Sequence, residues 1–426
     1  MAIINECYRE LKLDNGLSVA LQETPTQTVS GRLRVWHGAL NEREGEEGIA
    51  HFLEHTLLMG GSEKHTPEEA DEIRGRFGSF NAYTSRDRTF FPVDMLAEDI
   101  LLFLQYISDA VFNPRFDLRR VEEERQRVLR ETADNKSKPS FKDNLSIGEA
   151  IFGKGSPYIY QILGKEAIVK NASVDNLTAF HQRGYSPNNA DLVLVGALPK
   201  NIEDLVRESF GQFKRGKGKK FEFPRNPEIK GSTVLHTQAP EFHNHDNPSE
   251  SSAQLTLALY GPTLTDEDFF ATDMLVDILG GDANSRLFKS VSQRRGLAYG
   301  IGAQYEKDDN KGLIYIGGSI PSKKADESLD AIFEEMAKLR TDLVLQDVLE
   351  RLKRGTRYHL AKTFETNAGH ISAIDLRRDK GITPDYVLKQ MGRVTPENVR
   401  EAAIKYLSQD RNGNYVLLLR DPLKKE

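Results

Sequence analysis

The chain has 426 residues, 38% of them hydrophobic and 29% charged, and a net charge of -6. Both charge signs are interspersed, so nothing points to nucleic acid or a membrane surface, and no run is long and apolar enough to span a bilayer. The length exceeds one compact core and fits two domains, while a single cysteine, Cys7, rules out an internal disulfide and fits a reducing compartment. Met1 to Tyr8 lacks the charged and apolar regions of a signal peptide, so the expected location is the cytoplasm.

In chain order, Tyr8 to Leu13 and Leu17 to Leu21 alternate around the turn Asp14-Asn15-Gly16, which predicts a hairpin. Val29 to His37 reads as a third strand. After the acidic loop Asn41 to Glu47 comes His51-Phe52-Leu53-Glu54-His55, an H-x-x-E-H pattern. Phe52, Leu53, Leu57 and Leu58 give this stretch an apolar helical face, and Gly60-Gly61 ends it. Two histidines four apart stack on one helix face, so both imidazoles can reach one metal ion, and Glu54 can then work on a bound water. Such a site needs a third protein ligand and leaves a fourth position open.

Thr66-Pro67-Glu68-Glu69 opens a further helix with an N-cap and an N1 proline. Gly78 to Thr84 and Thr89 to Val93 read as two strands around the turn Ser85-Arg86-Asp87-Arg88. The small residues and Asn81 mark the first as an edge strand, able to take an extended peptide by strand addition. Asp99 to Val111 is helical, ending at Asn113-Pro114. Asp117 to Asp134 is a strongly charged helix on which Glu124 and Glu131 lie seven apart, sharing a face. Periodicity leaves Glu122, Glu123, Glu124 and Glu131 all open as the third ligand.

Lys214 to Lys220 is basic and Gly-rich, with Pro224 and Pro227 following, which predicts a solvated linker at 216–230 between domains at 1–215 and 231–426. The second half repeats the order of the first: a strand at Gln254 to Tyr260, a helix at Phe269 to Leu279, and strands at Gly296 to Gln304 and Gly312 to Ile320. Its helix carries Asp273-Met274-Leu275-Val276-Asp277-Ile278 and no histidine, hence no metal site. His243-Asn244-His245 sits in a polar stretch and reads as an exposed loop. The fold class is α+β, two similar domains each with a mostly antiparallel sheet backed by helices.

HFLEH, the Gly-Ser-Phe-Asn-Ala-Tyr-Thr-Ser stretch and the pattern Glu124-Arg125-x-x-Val128-Leu129-x-Glu131 together resemble the pitrilysin/insulinase family of zinc metallopeptidases. Pro157 to Gly164, His181 to Asn189, Ala190 to Gly196, Asn284 to Phe288 and Arg295 to Tyr299 extend the resemblance over nearly the whole chain. Thr56 to Gly61 departs from the family's Met-x-Phe-x-Gly-Thr run without touching the ligands. The resemblance implies one zinc ion per chain on His51, His55 and Glu131, Glu54 as general base, and Glu124 as a supporting carboxylate. It implies a zinc-dependent endopeptidase acting on unfolded or extended peptides, held along Phe80, Asn81 and Ala82. Manganese or cobalt would suit the same donors. Active members hold the peptide backbone with an arginine and a tyrosine of the second half. Tyr299 matches the tyrosine, but Ser292 stands at the arginine position, with Arg294 and Arg295 out of register. Larger members close a chamber from four such domains, so the expected assembly is a homodimer, or a heterodimer in which a sister chain supplies the pair.

Overall fold

The computed structural model describes residues 8–225, 227–238, 251–307 and 310–421. The His243–His245 pair lies outside the described residues. Twelve strands and fourteen α-helices are described. The strands of the first sheet are β1 (Tyr8–Lys12), β2 (Ser18–Glu23), β3 (Thr28–Val35), β4 (Ser79–Phe80), β5 (Tyr83–Thr84), β6 (Thr89–Leu96) and β7 (Ala190–Gly196). Those of the second are β8 (Ser232–Gln238), β9 (Ser252–Tyr260), β10 (Gly300–Lys307), β11 (Gly312–Pro321) and β12 (Tyr415–Asp421). The helices are α1 (Ile49–Met59), α2 (Pro67–Gly75), α3 (Ile100–Phe112), α4 (Leu118–Ser137), α5 (Pro139–Phe152), α6 (Glu166–Asn171), α7 (Val174–Gly184), α8 (Ile202–Phe210), α9 (Phe269–Gly280), α10 (Ala325–Thr341), α11 (Gln346–Thr363), α12 (Asn367–Lys380), α13 (Pro384–Arg393) and α14 (Pro396–Tyr406). No described helix is long and apolar enough to cross a membrane.

The two sheets repeat one topology. The first runs β1-β2-β7-β3-β6-β4, with β5 also on β6; the second runs β10-β11-β9-β12-β8. Strand for strand, β2·β7 and β8·β12 are parallel, while β7·β3·β6·β4 and β12·β9·β11·β10 are antiparallel.

The chain forms two compact units, and neither is contiguous. The first contains the chain up to Ser137, Tyr160–Glu222 and Leu360–Asp385; the second contains Lys138–Ile159, Phe223–His359 and Tyr386 onward. This corrects the division at 1–215, 216–230 and 231–426, and the physical reason lies in the strands. In β7, Leu192 and Leu194 join the main core of the first unit, while Val193 and Val195 point the other way. A strand buried on both faces needs a cover on each. In the first unit that cover is α12, whose Ile371 and Ile374 pack on Ala20, Val193 and Val195. Burying these two isoleucines contributes roughly 3–6 kcal/mol. In the second unit β12 splits likewise, Leu417 and Leu419 to the main core and Val416 and Leu418 to Ile147 and Ile151 of α5. Each unit thus takes one covering helix from beyond its own stretch of sequence.

α12 also resolves the charges of β3. Leu33 and Val35 enter the core, so alternation turns Arg32, Arg34 and Trp36 toward α12. Arg32 and Arg34 donate to Asp191 at 2.6 and 2.9 Å, as does Trp36 Nε1 at 3.0 Å, and Arg34 forks onto Asp379 of α12 at 2.6 and 2.9 Å. These guanidinium groups hold the Asp191 carboxyl far below the usual carboxylate range against the opposing effect of burial.

Two further expectations are revised. The basic stretch is not wholly solvated: Gly216 exchanges hydrogen bonds with the Asn188 side chain, and Lys220 Nζ lies 3.6 Å from the Trp36 ring centre. The strand read at Gly296 to Gln304 starts only at Gly300, because a π-helical turn, Phe288–Arg294, precedes it.

Candidate metal centre and substrate edge

α1 starts at a tight place. Gly48 has φ of 103°, a conformation open to glycine. Gly164 presses on the same backbone, where a Cβ would lie 2.2 Å from the Gly48 nitrogen. The Gly48 and Ala50 amides donate to Glu42 Oε1 at 3.1 and 2.8 Å, and Tyr160 Oη donates to Oε2 at 2.8 Å. Glu42 therefore satisfies orphan donors of the first turn, and desolvation pushes its pKa up to about 7. Phe52, Leu53 and Leu57 bury the core face of α1 completely. His51, Glu54 and His55 line a cavity of about 570 Å³, together with Leu58, Phe80, Ala82, Thr84 and Glu131 among others.

α4 packs along α1 and presents its carboxylates in two places. Glu131 Oε2 lies 3.7 Å from His51 Nε2 and 3.6 Å from His55 Nε2. The three donor atoms lie within 4.8 Å of one another, the only such cluster among the described residues. Glu124, two turns earlier, is 3% exposed and sits 3.0 Å from His55 Nδ1. A carboxylate there accepts a hydrogen bond from Nδ1–H and leaves Nε2 as a lone pair toward Glu131. Two imidazole nitrogens, one carboxylate oxygen and an orienting carboxylate behind a histidine fit a zinc site with three protein ligands and a fourth position open. Of the four glutamates left open by periodicity, these two face α1.

The electrostatics follow from burial. Desolvation, aided by the neighbouring His55, pulls the His51 imidazole down to about 4, keeping it neutral and able to donate a lone pair. For His55 burial acts in the same direction, but the hydrogen bond to Glu124 and the charges of Glu54, Glu124 and Glu131 outweigh it and raise the value. Glu54 is 7% exposed, and desolvation pushes its carboxyl up, opposed by His55 and by hydrogen bonds from Thr84. Thr84 Oγ1 donates to Glu54 Oε2 at 3.0 Å.

The edge strand differs from the expectation of one strand over 78–84. It is two short pieces, β4 and β5, on either side of Asn81-Ala82. Asn81 stands opposite Pro92, between the registered pairs Phe80↔Val93 and Tyr83↔Phe90. Its N–H donates to the Pro92 carbonyl at 3.1 Å, but proline returns no N–H, so the ladder breaks there. Antiparallel alternation then turns the N–H and C=O of Phe80 and Ala82 away from β6, to the open edge. Asn81 offers no outward amide, which corrects its place among the main-chain donors.

The structure brings together His51, Glu54, His55, Glu124, Glu131 and the Phe80–Ala82 edge. Tyr299 belongs to the second unit and is 86% exposed. Ser292 lies in the π-helical turn, and Arg295 pairs with Glu334 at 2.5 Å. Sequence reading placed Thr84 at the end of the Phe80 to Thr84 substrate edge but missed its contact with Glu54. It also missed Glu42 and Tyr160, which are 118 residues apart and give no local signal.

Comparison with known proteins agrees with the arrangement. A family model described as Insulinase (Peptidase family M16) matches residues 18–152, and one described as Peptidase M16 inactive domain matches residues 171–356. A Bacillus subtilis protein named as an uncharacterized zinc protease is 26% identical over 416 residues, 96% of this chain and 97% of its own. One of the same description from Rickettsia bellii is 26% identical over 411 residues, covering 95% and 96%. The crystal structure of a protease from Helicobacter pylori matches with a TM-score of 0.81 at 20% identity, covering 96% of this chain and 99% of that one.

Proposed function

The chain belongs to the insulinase, or pitrilysin, family of peptidases, and from that premise we propose that it is a zinc-dependent endopeptidase acting on unfolded or extended peptides. The observation that carries this is the convergence of His51, His55 and Glu131 within 4.8 Å beside the carboxylate of Glu54. These three residues would hold zinc, which when bound polarises a carbonyl and lowers the pKa of water. Glu54 serves as general base and acid, taking a proton from the attacking water and handing it to the leaving amine. Glu124 fixes the tautomer and ring orientation of His55. Phe80 and Ala82 hold the substrate backbone as an added strand.

We propose a homodimer as the working form, since family members with four such domains complete a chamber that two domains leave open. In that form Tyr299 of one copy serves the metal centre of the other. Ser292 at the arginine position favours a second reading, a heterodimer whose sister chain supplies the arginine-tyrosine pair. The test is zinc content and quenched-peptide cleavage by the purified chain, wild type and Glu54→Gln. The expected result is one zinc per chain in both proteins, cleavage by the wild type alone, and a loss of at least about a hundredfold in the variant. A zinc-loaded wild type that cleaves only after a second protein is added would select the heterodimer. A zinc-free wild type would refute the metallopeptidase.

A further inference from the structure

Glu54 meets Thr84 on the strand proposed to hold the substrate. The hydroxyl of Thr84 donates to Glu54 Oε2 at 3.0 Å. The parity of the edge places Thr84 on the same open side as Phe80 and Ala82. Asn81 faces β6 through its bond to Pro92, and Ser85 faces inward through its N–H to the Arg88 carbonyl at 2.8 Å. Residues 80, 82 and 84 therefore turn their amides outward. Along the open edge the third of these residues is the one whose hydroxyl meets the carboxylate of Glu54.

We infer that Thr84 is the positioning residue of the general base: it fixes the Glu54 carboxylate on the rung of the edge strand next after Ala82, and so sets the base in register with a peptide paired at Phe80 and Ala82. The inference rests on the proposed peptidase reading. At about 3.3 Å per residue, the carboxylate stands some 7 Å further along the edge than the Ala82 rung. A peptide added to the edge must end its pairing where Glu54 begins, which brings the next peptide unit beside the base. The hydroxyl holds one carboxylate oxygen while the other stays available for proton transfer. β-Branching of Thr84 also limits its χ1, so the donor is held in place before substrate arrives.

Thr84→Val keeps the branched shape and the backbone N–H and removes the hydroxyl; Thr84→Ser restores the hydroxyl. In the zinc-loaded full chain, Thr84→Val is expected to lower kcat about ten- to a hundredfold, the weight of one hydrogen bond to a charged group, with KM and zinc content unchanged. Thr84→Ser should recover kcat to within about threefold. A Thr84→Val protein with wild-type kcat, with a raised KM instead, or with lost zinc would overturn the assignment. A second measurement needs no activity. In the metal-free protein Thr84→Val should lower Tm by roughly 2 °C or more, and by much less in the Glu54→Gln background, because the two side chains form one interaction. Equal losses in both backgrounds would overturn the contact itself. If the wild type cleaves no peptide, the peptidase reading falls and this cycle alone decides on Thr84.

Discussion

Replacing Glu124 by glutamine tests whether the carboxylate behind His55 orients a ligand or is itself a ligand. Its carboxyl is 3% exposed, and one oxygen lies 3.0 Å from His55 Nδ1. Glutamine keeps the volume but exchanges a charge-assisted acceptor for a neutral amide, which can present either its oxygen or its NH2 to the ring. With the oxygen toward Nδ1 the tautomer is kept but the imidazole is a weaker base; with the NH2 toward it, Nε2 must carry the proton and cannot ligate. Orienting partners of this kind weigh about ten- to a hundredfold in metal affinity, or roughly 1.4–2.8 kcal/mol. The expectation for Glu124→Gln is a zinc Kd weakened by that factor, one zinc per chain at saturation, and recovery of most cleavage in excess zinc. Competition against a chelator of known affinity gives the Kd. A Kd within twofold of wild type would refute the orienting role, and a protein that takes up no zinc at saturation would make Glu124 a ligand.

Ala82→Pro removes an outward amide and is expected to raise KM about three- to tenfold with zinc retained, the weight of one neutral hydrogen bond; steady-state kinetics on an extended peptide check this, and an unchanged KM places the substrate elsewhere. Acid stability depends on His181, whose ring nitrogen meets the Val111 carbonyl at 2.8 Å and whose pKa desolvation lowers from 6.5 to about 4. The folded value lies below the unfolded one, so between the two the unfolded chain binds more protons, and stability present above about 6.5 is lost as pH falls toward 4. His181→Gln keeps a donor for Val111 without that titration, so in urea unfolding the wild type should lose roughly 3 kcal/mol relative to the variant over this range; parallel pH dependences would refute it.

Much of the site was legible because its signals are local. The spacing of His51 and His55, their apolar flank and the glycines at Gly60-Gly61 all lie within one helix. Glu131 was not separable from its neighbours by periodicity, since α4 is charged on most of its circumference and only its packing on α1 selects two of the four glutamates. The broken edge strand was written in Pro92, which removes a donor from the partner strand, but reading it needed the register. The exchanged helices were hidden for another reason. The isoleucines of α12 state that the helix covers an apolar face, and both sheets offer one. The balance is tipped by charge: Asp375 and Asp379 find Arg32 and Arg34 on β3 of the first unit, a pairing more than 340 residues apart.

The second unit bears on what those polar side chains cost. It builds the same strand order and lays α9 where the first unit lays α1, with Phe269, Met274, Leu275 and Leu279 in its core. No histidine stands on α9, and no His, Cys, Asp or Glu cluster able to hold an ion occurs among the described residues of that unit. The described core around α9 is built from apolar side chains. In the first unit His51, Glu54 and Glu124 are withdrawn from water on the same scaffold, and each stands there at a desolvation cost that packing alone does not require. Such a departure from the rule for buried groups concentrates where chemistry needs preset protonation states and fixed geometry. Neutral His51, Glu54 held by Thr84, and His55 held by Glu124 are three such presettings within two helices and one strand edge.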